Sequence, residues 1–92
     1  MLKVTQEAAQ EMKKVLQSKR IPRGSCLRLA KKSTQGLGFY VDIERPDDQV
    51  VFCGETKVLV LSDELSSVLK GVVMDVEATK KGFHFSLREV KG

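Results

Sequence analysis

Hydrophobic positions change their spacing three times along this 92-residue chain. Ala8, Ala9, Met12, Val15 and Leu16 recur at helical spacing, which gathers them on one side of an amphipathic helix of roughly four turns. Lys13, Lys14 and Lys19 fall toward the other side or the C-terminal end. Thr5 suits the N-cap, because its hydroxyl can accept from an amide that the first turn leaves without a partner. Glu7 lies where the helix dipole favours an acid. Leu2-Lys3-Val4 reads as a short strand leading in. Ile21-Pro22-Arg23-Gly24 stops the helix, since Pro22 cannot donate to the ladder and Gly24 gives a flexible turn.

From Ser25 the period becomes two. Leu27 and Leu29 alternate with Cys26, Arg28 and Ala30. After Gly36 and Gly38, Phe39, Val41 and Ile43 alternate with Tyr40, Asp42 and Glu44. Such alternation predicts half-buried strands with one wet face. Arg45-Pro46-Asp47-Asp48 reads as a turn, with Pro46 fixing φ and the aspartates able to bond their own backbone. Residues 50–53 and 57–61, joined at Gly54-Glu55, predict a hairpin or meander. Ser62 or Asp63 caps a short second helix, with Leu65, Val68 and Leu69 on its buried side and Gly71 beyond its end. Residues 72–78 and 83–87 predict a last pair of strands, turned at Lys80-Lys81-Gly82. There Phe83, Phe85 and Leu87 share one face, and His84, Ser86 and Arg88 the other. Most pairings read as antiparallel, and no βαβ pattern with long crossovers is visible.

The length suits a single domain over 1–92, and 41% hydrophobic with 30% charged residues gives a modest core in a soluble chain. No apolar run is long enough for a membrane span, and the N-terminus lacks the pattern of a signal peptide, so a cytoplasmic location is expected. Cys26 and Cys53 lie far apart without CxxC or CxC spacing, and in a cytosolic chain they are expected as free thiols. The net charge of +4 is unevenly spread. Residues 1–32 carry nine Lys or Arg against Glu7 and Glu11, whereas residues 33–92 carry seven basic and ten acidic side chains. The basic third offers a possible weak nucleic-acid surface, with Phe39 and Tyr40 near Lys31 and Lys32 as stacking groups. A solvated helix face and polar loop explain the same charges, and nucleic acid is the less favoured partner.

Catalytic signatures are missing. The sequence has no P-loop, GxGxxG, HExxH or GxSxG, and its one histidine leaves no Ser/His/Asp or Cys/His team. A non-enzymatic chain is expected. The segment most suited to holding a partner is the small-residue turn Ser33-Thr34-Gln35-Gly36-Leu37-Gly38, whose glycines permit positive φ and close approach.

That turn, followed by an aromatic strand, resembles the loop of the HesB/IscA family of iron–sulfur carriers, which runs roughly Gly-Gly-Cys-Ser-Gly into a strand. The resemblance extends over nearly the whole chain. Leu2-Lys3-Val4-Thr5-Gln6-Glu7-Ala8-Ala9 is similar to the family opening, and Leu27-Arg28-Leu29 to its Leu-Arg-hydrophobic strand. Tyr40 through Glu44 is similar to the next strand, and Val58-Leu59-Val60 before Ser62 to a strand entering a short helix. Asp75-Val76 and Gly82-Phe83-His84-Phe85 resemble the pair near the family C-terminus. The resemblance implies an α+β, mainly β fold: a small twisted, mostly antiparallel sandwich or barrel-like sheet with an N-terminal amphipathic helix and one short helix.

The family's ligands do not follow. It offers a cysteine in the glycine loop and a Cys-x-Cys near the C-terminus, soft thiolates suited to iron–sulfur clusters. Here Gln35 occupies the loop position, and residues 85–92 contain no cysteine. The expectation is a HesB/IscA-like domain without a cofactor, acting through contacts with a protein partner of iron–sulfur assembly and as a possible homodimer, with no membrane partner. The alternative is a carrier of iron or a cluster on relocated ligands, for which Cys26, Cys53 and His84 are the candidates.

Overall fold

The computed structural model describes residues 1–33 and 36–90. Its elements are β1 (Lys3–Val4), α1 (Gln6–Ser18), β2 (Cys26–Lys31), β3 (Leu37–Asp42), β4 (Gln49–Cys53), β5 (Thr56–Leu61), α2 (Asp63–Val68), β6 (Val72–Thr79) and β7 (Gly82–Glu89). They form two sheets, ordered β1-β6-β7 and β3-β2-β5-β4. The sheets do not close into a barrel. Leu27, Leu29, Leu59 and Leu61 of the wider sheet meet Met74 of the narrower one in a common core with Ala8, Ala9 and Met12 of α1.

Local chemistry sets the helix ends. The Thr5 hydroxyl accepts from the Ala8 amide at 3.2 Å and donates to Asp75 Oδ1 at 2.9 Å, so one side chain caps α1 and ties it to β6. Ser62, not Asp63, caps α2, accepting from the Leu65 amide at 3.1 Å. In α2 the expected burial of Val68 is overturned: it is 75% exposed, and Ser66 faces inward instead. Gln49 explains the rotation. Its amide accepts from the Leu2 N–H and the Ser66 hydroxyl and donates to the Leu2 carbonyl, at 3.0, 2.7 and 2.7 Å. Satisfying this buried amide turns Ser66 in, and the helical period carries Val68 out.

Three pairings are antiparallel, β2/β3, β4/β5 and β6/β7, but β1/β6 and β2/β5 run parallel, so both sheets are mixed. The simple alternation also fails in β2, where Cys26, Leu27, Arg28 and Leu29 are all buried. The reason is topological. β3 and β4 lie on opposite edges of their sheet, so the connection between them, residues 43–48, crosses the outer face over β2 and β5. Cys26 and Val60 are fully buried yet stand apart from the main core cluster, on the face that this strap crosses. β3 departs from expectation as well. Phe39 packs edge-to-face on Phe85 with centroids 5.3 Å apart, but Val41 and Ile43 are exposed. On the facing strand only Phe85 joins the core, while Phe83 and Leu87 are exposed. Both strands are sheet edges whose ends run past their cover.

Candidate functional site

The loop between β2 and β3 begins where their register closes, at the pair Lys31 and Leu37. The Lys32 amide donates to the Gly36 carbonyl at 2.7 Å, which draws the two ends together. Gly36 has φ +81°, where a side chain would be strained, and Ser33 adopts φ +50°. Gly38 serves differently. A Cβ there would stand 3.3 Å from Lys32 Cδ, so the lysine stem lies across the glycine. Ser33 and Gly36 are exposed, and Leu37 is half-buried against the core. Thr34 and Gln35, which complete the expected binding surface, lie outside the described residues.

The other end of β3 is held quite differently. Arg28, expected on a wet face, has a side chain only 9% exposed. Its Nε donates to Asp42 Oδ2 at 2.6 Å, and its Nη2 donates to Asp48 Oδ2 at 2.6 Å and to the Ile43 carbonyl at 2.9 Å. Its Nη1 reaches Asp48 Oδ1 at 3.3 Å, which makes the Asp48 contact bidentate. Asp48 also accepts from the Arg45 amide, and Asp42 from the Ile43 amide and the Arg45 guanidinium. The Arg28 guanidinium, then the Arg45 amide, hold the Asp48 carboxyl below the usual carboxylate range against the opposing effect of burial. Asp42 is lowered first by the Ile43 amide and then by Arg28. Lys57 and Glu44 add an ion pair at 2.6 Å on the same strap. Asp47 and Asp48 do form the expected turn, but the load falls on Asp48, whose partner sits 20 residues earlier.

The metal-ligand candidates do not converge. Cys26 is fully buried on the strapped face of the wider sheet, and burial pushes its thiol up, away from the thiolate a metal requires. Cys53 packs against the main core, on β4, with β5 lying between it and β2. His84 is exposed on β7 of the narrower sheet, where it pairs with Glu77 of β6. Among the described residues, no three His, Cys, Asp or Glu side chains gather closely enough to hold a metal ion. Within one copy of the chain, Cys26, Cys53 and His84 therefore do not form a shared ligand set. Of the two aromatic side chains considered for nucleic-acid stacking, Phe39 is committed to Phe85 and only Tyr40 is exposed. No helix among the described residues is long and apolar enough to cross a membrane.

The sequence pattern missed Arg28 with its two aspartates, and Gln49. Arg28 stood inside a Leu-Arg-Leu motif, but nothing local marks which carboxylates meet it.

No protein-family profile and no curated protein matches the sequence. Solved structures do match the fold. SufA of Escherichia coli, involved in biosynthesis of iron–sulfur clusters, is similar with a TM-score of 0.69 at 21% identity, covering 96% of this chain and 84% of that one. IscA, solved with the [2Fe-2S] cluster, is similar with a TM-score of 0.62 at 18% identity, covering 97% of this chain and 85% of that one. The similarity spans nearly all of this chain, which has a HesB/IscA-like fold.

Proposed function

We propose that this chain is a non-enzymatic relative of the iron–sulfur assembly proteins whose fold it shares, and that it works through protein contacts without binding a cluster in the family manner. The observation that carries the reading is the separation of its thiols. A cluster needs several soft ligands converging in one place. Cys26 lies on one face of a sheet and Cys53 packs toward the other, with a strand between them. Neighbouring strands are about 4.8 Å apart, so the two backbones stand roughly 10 Å apart before the opposed faces are counted. Gln35 at the loop position offers a neutral amide, a poor substitute for thiolate. The turn at residues 33–38 is the surface assigned to the partner, and the exposed Val41, Phe83 and Leu87 are open to a second copy of the chain.

Anaerobic reconstitution with ferrous iron and sulfide tests the reading. The expected result is colourless protein without stoichiometric iron, for the native chain and for a Cys26→Ser/Cys53→Ser variant alike. Stoichiometric colour that disappears in the variant would overturn it and establish a carrier on relocated thiols.

A further inference from the structure

A cavity of about 430 Å³ opens where the end of β2, the strap and α2 meet, a size within the range of small-molecule sites. No role at the loop or the thiols uses it. Its apolar lining includes Ala30, Leu65 and Val68, with the core residue Leu29 beneath them. Val68 matters most, because a valine left three-quarters exposed on a two-turn helix gains when a ligand covers it. The charged groups are divided between the elements. Lys31 on β2 and Arg45 on the strap supply cations, and Glu64 in the first turn of α2 supplies a carboxylate.

Among the described residues, no ion pair joins Glu64 to either cation. Arg28 also lines the cavity, but Asp42, Asp48 and the Ile43 carbonyl already engage its nitrogens. Arg45 gives one bond to Asp42 and otherwise meets water, so it retains donors for a ligand. The Ser62 hydroxyl is committed to capping α2.

A lining that combines an apolar patch with two cations and a carboxylate suits a molecule with an aliphatic body and both charges of its own. We propose that this cavity binds a small aliphatic zwitterion of the α-amino-acid class. The ligand's carboxylate faces Lys31 and Arg45, its ammonium faces Glu64, and its side chain covers Val68 and Leu65. A ligand with a single charge leaves either the cations or the carboxylate unmatched, and a purely apolar one leaves both.

Leucine, isocaproate and isopentylamine share one aliphatic body and differ only in charge, so together they test the proposal on the full chain. Backbone amide resonances are followed during titration with each. Leucine is expected to shift the signals of residues 29–31 and 64–68 saturably. The two singly charged analogues should bind about tenfold more weakly, the size of one lost charge-assisted hydrogen bond. Glu64→Gln should weaken leucine and leave isocaproate unchanged, while Lys31→Gln should weaken leucine and leave isopentylamine unchanged. Both side chains are exposed, and an otherwise unchanged spectrum verifies that each variant is folded. Absence of a saturable shift at millimolar leucine, shifts centred elsewhere, or isocaproate binding as tightly as leucine would each overturn the proposal. None of these results bears on the reconstitution experiment, so either reading can fail alone.

Discussion

The two connections of β3 are built to opposite specifications. At its C-terminal end, residues 43–48 are bound to the sheet by Arg28, Asp42, Asp48 and the Lys57–Glu44 pair. At its N-terminal end, the described part of the turn is drawn together by a single backbone bond from Lys32 to Gly36. Polar ties concentrate where the chain must cover its own sheet, and few are found among the described residues of the turn. The difference sets a heavily tied strap and a lightly tied turn within one strand's length, and the proposed partner surface falls on the second, in keeping with function residing on loops that a rigid frame presents.

The strongest way to break this comparison is Arg28→Ala. It strands the Asp48 carboxylate, whose side chain is only 4% exposed, and releases the strap. A loss of about 3–5 kcal/mol is expected in urea unfolding, as for other buried pairs deprived of one partner. The Cys26 thiol should then react with a thiol reagent under native conditions. A loss below about 1 kcal/mol, with Cys26 still protected, would show that the strap is held by something other than its arginine.

Gln49→Ala ranks next. It leaves the Leu2 backbone groups and the Ser66 hydroxyl without their partner, and about 2–3 kcal/mol should be lost in thermal unfolding.

Acid titration sharpens the contrast. Asp42, Asp48 and Asp75 all have folded-state pKa values below their ordinary ones, so between the two values the unfolded chain binds more protons than the folded one. Their contribution is present above the ordinary carboxylate range and is lost as pH falls from about 4 through the folded values. The native chain should therefore lose stability steeply below about pH 4, and Arg28→Ala should show a shallower slope. Parallel slopes would remove Asp42 and Asp48 as the source.

The smallest effects belong to the turn. Gly36→Ala places a side chain at positive φ and should cost about 1 kcal/mol. Gly38→Ala meets only the flexible Lys32 stem and should stay within about 0.5 kcal/mol. A larger loss at Gly38 would mean that the turn is a structural element in its own right.

What the sequence discloses follows from how local the cause is. The start of α1 is readable because Thr5 acts on Ala8, three residues away. The hairpin of β4 and β5 is readable because Gly54-Glu55 turns it on the spot. Arg28 is misread because alternation assigns it to water, and only the strand order, with β3 and β4 on opposite edges, puts a roof over it. Val68 is misread because the residue that turns α2 is Gln49, in another element. Val41 and Ile43 carry the right pattern on a strand too peripheral to bury them. For the candidate site, the missing cysteines could be read directly. The inaccessibility of Cys26 could not, since it depends on the same roof.

The strap also sets a length rule. It must pass from one edge of a four-stranded sheet to the other, three strand spacings or about 14 Å. The seven steps from Asp42 to Gln49 reach at most about 25 Å when fully drawn out, and the turn at Pro46 uses part of that. Spare length is limited to what the turn leaves of that difference. Homologous chains that keep this sheet order should therefore tolerate insertions between Asp42 and Gln49 more readily than deletions.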